Sequence, residues 1–280
     1  MANRTRPLIV ASALALLAVS TICPPPTRAE ILSEDKKVIS GYTLVFRKFN
    51  WNSQFGTILE IKRGKRRVLR RQGHGLWIFS MDKQSESFDL KPGDPVRVAD
   101  LNGDGVKDVV IQEWSGGAHC CYTYDIYSLQ PGNLKTIWHF DGGDGHLAIE
   151  TPKKGPAVLV IEDASLAYWV TSFADAPIPK VYLRWTNGAF RVDAKRMRKP
   201  VDFQKFKECA ADPTSIASAK YFVQLVYEGH ADKALQLLSK LSPAERKEFL
   251  KGFNENFRKS PHYSQIIALS DPRAIRRLKG

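Results

Sequence analysis

A 280-residue chain with 43% hydrophobic and 25% charged residues can bury a core of one large or two ordinary domains, which excludes disorder as its default state. Its net charge is +13, and a field of that sign attracts polyanions: anionic lipid, nucleic acid or acidic polysaccharide. The same balance is common in exported proteins that bind nothing anionic.

Residues 1–29 read as a signal peptide. Arg4 and Arg6 make a positive start, residues 8–19 an apolar stretch too short to span a bilayer comfortably, and Pro24, Pro25 and Pro26 end any helix. Thr27, Arg28 and Ala29 offer a small-x-small cleavage site. Removing the leader with its three arginines leaves +10. Cys23 offers a lipoprotein alternative, although Ile22 stands where a small residue is wanted. No later stretch is apolar enough to cross a membrane, so a periplasmic or secreted protein is expected.

Residues 30–199 are expected to form a mainly antiparallel β domain, rich in β-branched and aromatic residues with Gly, Asn and Asp at intervals. Segments 57–69, 125–137 and 181–192 share a strand, a turn glycine (Gly64, Gly132 or Gly188) and a second strand. That spacing is close to one four-stranded blade per repeat, and gives partial propeller-like or divergent blades. The strand-like segments 109–114 and 158–162 precede the second and third units. The first hairpin carries Lys62, Arg63, Lys65, Arg66, Arg67, Arg70 and Arg71. These read as a charged edge guarded against aggregation, or as a contact for an anionic envelope component. Nucleic acid is not expected as a partner, because no binding motif for it is present.

Asp100, Asn102, Asp104 and Asp108 place oxygen side chains at positions 1, 3, 5 and 9 of a loop, with Gly105 at position 6. A hard cation needs six to eight oxygens, and glycine lets the backbone turn sharply round it. The Val106 carbonyl would be the backbone ligand. Ile111 replaces the bidentate glutamate of an EF-hand, and residues 96–99 and 109–114 read as strands rather than helices. A calcium loop between strands is therefore expected. The alternative is a hairpin turn with incidental acids.

These residues resemble the calcium-binding FG-GAP or VCBS repeats of the integrin α-chain propeller. The resemblance covers residues 96–113 well and the remaining β half loosely. It implies that Asp100, Asn102, Asp104, Asp108 and the carbonyl of Val106 bind Ca2+ in a structural role. The chain has room for about three blades, too few for that family's closed ring. Asp141 and Asp144, with Gly142, Gly143 and Gly145, lack the spacing of a second loop.

His119, Cys120 and Cys121 follow. One reading makes His119 the base for a cysteine nucleophile, and another makes the three a transition-metal site. Neighbours on a strand point to opposite faces, which opposes both. Export permits disulfides: Cys209 bridges to Cys120 or Cys121, or those two pair with each other. His74, His139 and His146 are further candidate ligands without ligand spacing. Glu162 and Asp163, at the end of a strand, are a candidate carboxylate pair. Lys195, Arg196, Arg198 and Lys199 read as an exposed linker.

Residues 200–280 read as a small α-helical domain, giving an α+β multidomain chain. Residues 216–227 and 231–241 are amphipathic runs. Ser242, Pro243 and Glu245 form a capping box with proline at N1, followed by Phe249, Leu250, Phe253 and Phe257 on one face. Ser260 with Pro261, and Asp271 with Pro272, repeat the starting signal.

Signatures of phosphate-loop, dinucleotide, zincin and serine-elbow enzymes are absent from the sequence. The expectation is an exported non-catalytic calcium-binding module for a protein or envelope polymer. A hydrolase or thiol enzyme built on His119 with Cys120 or Cys121 is the alternative.

Overall fold

A computed structural model describes residues 30–51, 54–73, 75–78, 99–115, 121–152 and 156–279. The expected leader with Cys23, and also His74, His119 and Cys120, lie outside the described residues. Among these residues, twelve strands fall in three four-stranded antiparallel sheets, each a meander of consecutive strands. The first holds β1 (Glu30–Ile39), β2 (Tyr42–Trp51), β3 (Gln54–Arg63) and β4 (Arg66–Gly73). In the second are β5 (Gly75–Ile78), β6 (Asp108–Trp114), β7 (Tyr122–Gln130) and β8 (Asn133–Gly143). The third contains β9 (Leu147–Glu150), β10 (Val158–Glu162), β11 (Lys180–Thr186) and β12 (Ala189–Val192).

The three turn glycines occupy equivalent places. Gly64, Gly132 and Gly188 each link the third strand of a sheet to its fourth, and each has positive φ. At the last of these turns Asn187 also has positive φ, the two-residue arrangement whose twist matches that of antiparallel strands. The expected repeat is thus present as a repeated four-stranded meander.

The second sheet is covered on both faces. Val109, Ile111, Tyr127 and Leu129 meet Leu44, Leu59 and Ile61 of the first sheet in one cluster. Val110, Tyr124, Ile126 and Phe140 join Leu159, Ile161, Val181 and Leu183 of the third sheet in another, which continues into the helices. Two-sided burial explains why β6 and β10 read as continuous apolar runs rather than alternating ones.

The helices are α1 (Ala194–Met197), α2 (Phe203–Ala211), α3 (Ile216–Tyr227), α4 (Ala231–Leu237), α5 (Pro243–Phe257), α6 (Tyr263–Ile267) and α7 (Pro272–Lys279). Helix α3 has the expected bounds. Helix α4 ends at Leu237 and a 3-10 turn (Leu238–Lys240) completes the run. At α5 both bonds of the capping box form: Glu245 N donates to Ser242 Oγ at 3.3 Å, and Ser242 N to Glu245 Oε2 at 2.8 Å. Phe253 and Phe257 are fully buried. No helix among the described residues is long and apolar enough to cross a membrane.

Lys195, Arg198 and Lys199 are exposed as expected, but the segment is anchored rather than a free linker. Met197 is buried, Arg196 pairs with Glu150 at 2.6 Å and lies over the Tyr182 ring, and Arg198 donates to the Leu269 carbonyl. The buried methionine between the basic residues anchors a short helix that the charge pattern alone concealed.

Candidate functional site

The acidic loop is closed at its base by an antiparallel bridge between Ala99 and Asp108, with Asp108 N donating to the Ala99 carbonyl at 2.8 Å. Gly103 and Gly105 take positive φ, so the backbone curls inward and turns its N–H groups toward the first acid. Asp100 accepts from the N–H of Gly103 at 2.6 Å, of Asp104 at 3.1 Å and of Gly105 at 2.8 Å. Asp104 accepts from Val106 N and from the side chains of Asn102 and Gln130. The Gln130 bond ties the loop to the end of β7. Asn102 Oδ1 accepts from Asp104 N at 3.0 Å.

Asp108 differs from the other acids. It is 1% exposed. Its Oδ2 accepts from Leu101 N at 2.8 Å, while Oδ1 is buried without a hydrogen-bond partner. Burial pushes its carboxyl up to about 6, against the opposing hydrogen bonds from Leu101 N and the Ser128 hydroxyl and with a smaller push from the charges of Asp104 and Asp100. An unpaired buried acceptor costs about 1–3 kcal/mol, more when charged. A divalent cation on the free oxygen would offset this cost and the mutual repulsion of the acids. The donor set suits a hard, oxygen-seeking ion: three carboxylates, one amide oxygen and the Val106 carbonyl. Among the described residues no three His, Cys, Asp or Glu side chains converge closely enough to hold a metal; the oxygens of Asp100 and Asp104 turn instead to N–H groups.

The other expected sites do not assemble round this loop. Cys209 is a free, buried thiol on α2. It is packed within the helical module, with Sγ 3.9 Å from the Ala217 carbonyl, and so bridges to neither Cys120 nor Cys121. Cys121 is disulfide-bonded. His139 Nδ1 lies 2.7 Å from Asp125 Oδ1 at the surface, and the His146 ring packs on Tyr122.

The basic hairpin is partly neutralised within the first sheet. Glu60 pairs with Arg47 at 3.0 Å, Lys62 at 3.1 Å and Arg67 at 2.9 Å. Hydrogen bonds from these cations, led by Arg67, hold its carboxyl down to about 2. Arg71 reaches across to Asp125 at 2.9 Å and Tyr127 at 3.0 Å in the second sheet. Arg63, Lys65, Arg66 and Arg70 stay exposed and form no ion pair among the described residues.

A buried polar cluster joins the third sheet to the helices. Asp163 accepts from Tyr227 Oη at 2.8 Å, from the Ser260 hydroxyl and from Ser165 N at 3.0 Å. His262 beside it is 7% exposed, and burial lowers its pKa against the opposing pull of Asp163. The sequence marked Asp163 only as a neighbour of Glu162. Tyr227, Ser260 and His262 carried no local signal of this cluster, because Asp163 lies 64 to 99 residues away.

No protein-family model, curated protein or solved structure matches this chain. The likeness to integrin-type calcium repeats therefore rests on the loop residues themselves.

Proposed function

We propose that this chain is an exported, non-catalytic module whose 100–108 loop binds Ca2+ through Asp100, Asn102, Asp104, Asp108 and the Val106 carbonyl. The observation that carries the reading is the buried Asp108 oxygen without a partner, beside two further acids. In this reading calcium fastens the loop to the start of β6 and so braces the middle sheet, and the three meanders are divergent propeller-like blades. The exposed cations at Arg63, Lys65, Arg66 and Arg70 favour an anionic envelope polymer as the partner. Cys121, held in a disulfide, supplies no thiolate for the thiol-enzyme alternative.

Thermal unfolding with excess Ca2+ and with excess chelator tests the reading. A ligand specific to the native state stabilises by about 3 kcal/mol at a hundredfold excess over its Kd. A calcium-dependent rise in Tm that Asp104→Ala abolishes is the expected result. An unchanged Tm would leave the loop a plain turn. Loss of salt-sensitive retention on an anionic polymer column in Lys65→Glu/Arg66→Glu tests the partner surface.

A further inference from the structure

Two sequence features left unused by the calcium loop meet at one place. The end of β8 and the turn after it, with Asp141 and Asp144, and the end of β10 with the residue after it, Glu162 and Asp163, form two walls of a cleft of about 300 Å³. Lys259, Pro261 and His262, between α5 and α6, form the third wall. That volume lies at the small end of the range for small-molecule sites.

The walls are fitted closely. A Cβ on Gly145 would lie 2.0 Å from the Glu162 carbonyl oxygen, and one on Gly142 would lie 2.7 Å from the Gly145 oxygen. Backbone-to-backbone contact at that distance admits only glycine, so the acids on either side of it are held in place. Phe140 and Ile161 supply an apolar floor, and the Phe140 ring stacks on His262 with centroids 6.0 Å apart.

The polar lining is undersatisfied. Asp141, Asp144 and Glu162 form no ion pair among the described residues. Lys259, the cation of the lining, donates instead to Asn256 Oδ1 at 2.8 Å. Asp144 Oδ1 and His262 Nε2 are buried without hydrogen-bond partners. A negatively charged recess in a chain of net charge +13 runs against the global field, and its unmet groups can accept hydrogen bonds.

We propose that this cleft binds a primary ammonium group on an aliphatic stem, with Asp144 and Glu162 facing the charge and Phe140 and Ile161 lining the stem. A carboxylate pair with a low-dielectric floor recognises such a group by charge and by its three N–H donors. The ammonium has two sources, a free diamine or a lysyl side chain. The inference is independent of the calcium loop.

Calorimetric titration of the purified protein at physiological salt, in amine-free buffer, tests it with putrescine and with Nα-acetyl-lysine amide as probes. At least one probe is expected to bind with a Kd on the order of 1 mM or tighter. Asp144→Asn and Glu162→Gln should each weaken it about tenfold, with Tm unchanged. Asp232→Asn, exposed on α4, should have no effect. Binding of putrescine alone assigns a free amine, and binding of the capped lysine assigns a side chain. If neither probe binds, if the cleft variants bind as well as the parent, or if Ca2+ alone responds to them, the proposal fails and the cleft holds only water.

Discussion

The Tyr227 hydroxyl donates to Asp163 Oδ2 at 2.8 Å, joining the last residue of α3 to the residue that follows β10. The ring is 1% exposed, and burial beside Asp163 pushes the phenol well above its ordinary pKa. Tyr227→Phe keeps the ring packing against Phe257 and removes one of three donors to a buried carboxylate. A loss of about 1–2 kcal/mol is expected from the shift in urea midpoint. No shift would mean that Ser260 and the Ser165 N–H satisfy Asp163 alone.

In buffer without calcium, Asp108 gives the protein a pH dependence of unusual sign for an acid. Its carboxyl is raised from 3.8 to about 6 in the folded chain, so the native state takes up a proton before the unfolded state does. Its cost is fully present above about pH 6 and disappears as pH falls toward 4, at most about 3 kcal/mol. Asp108→Asn should therefore raise Tm at pH 7 in calcium-free buffer and leave a flatter profile between pH 4 and 6. The same variant should gain nothing from added Ca2+. A variant less stable than the parent at pH 7 without calcium would refute the assignment.

Glu60 works in the opposite direction. Its folded carboxyl titrates at about 2 against an ordinary 4.5, so its contribution is full above pH 4.5 and is lost as pH falls toward 2. Arg67, one of its partners, is 56% exposed, and solvent screening reduces the benefit to about 1–2 kcal/mol. Glu60→Gln should cost that much at pH 7 and almost nothing at pH 2, as measured by denaturant unfolding at both values.

Gly145→Ala tests the backbone contact that builds the cleft. Its Cβ would lie 2.0 Å from a backbone oxygen rather than from a side chain that can swing away. Destabilisation of about 3 kcal/mol is expected. By contrast, Asp144→Asn next to it should leave Tm unchanged. Equal melting temperatures for Gly145→Ala and the parent would show that the wall yields easily.

The local parts of this fold were legible. Ile216 and Tyr227 bound the predicted helix α3, Ser242 and Glu245 cap α5, and Gly64, Gly132 and Gly188 mark the same turn in three sheets. Each signal lies within a dozen residues, where periodicity and turn chemistry operate. The acidic loop was legible for the same reason, although its spacing did not reveal that Asp108 alone is buried. What escaped the sequence is long-range. Nothing near Asp144 or Glu162 announces His262, and nothing near Arg71 announces Asp125. Met197 shows the converse, a single apolar residue that outweighs the basic residues around it.

The two hydrophobic clusters, one between the first and second sheets and one running from the second sheet to α7, bear on how the protein comes apart. The smaller cluster is the main apolar seam holding β1–β4 to the rest, with Arg71 and Asp125 reinforcing it. The first sheet is thus expected to behave as a separable cooperative unit that opens while the larger core persists. Amide protons of β2 and β3 should then exchange together, at a lower free energy than those of β10 and α3. A protease that samples the native ensemble would meet this sheet first, so the lifetime of the protein in its presence would be set by that seam rather than by its deepest core.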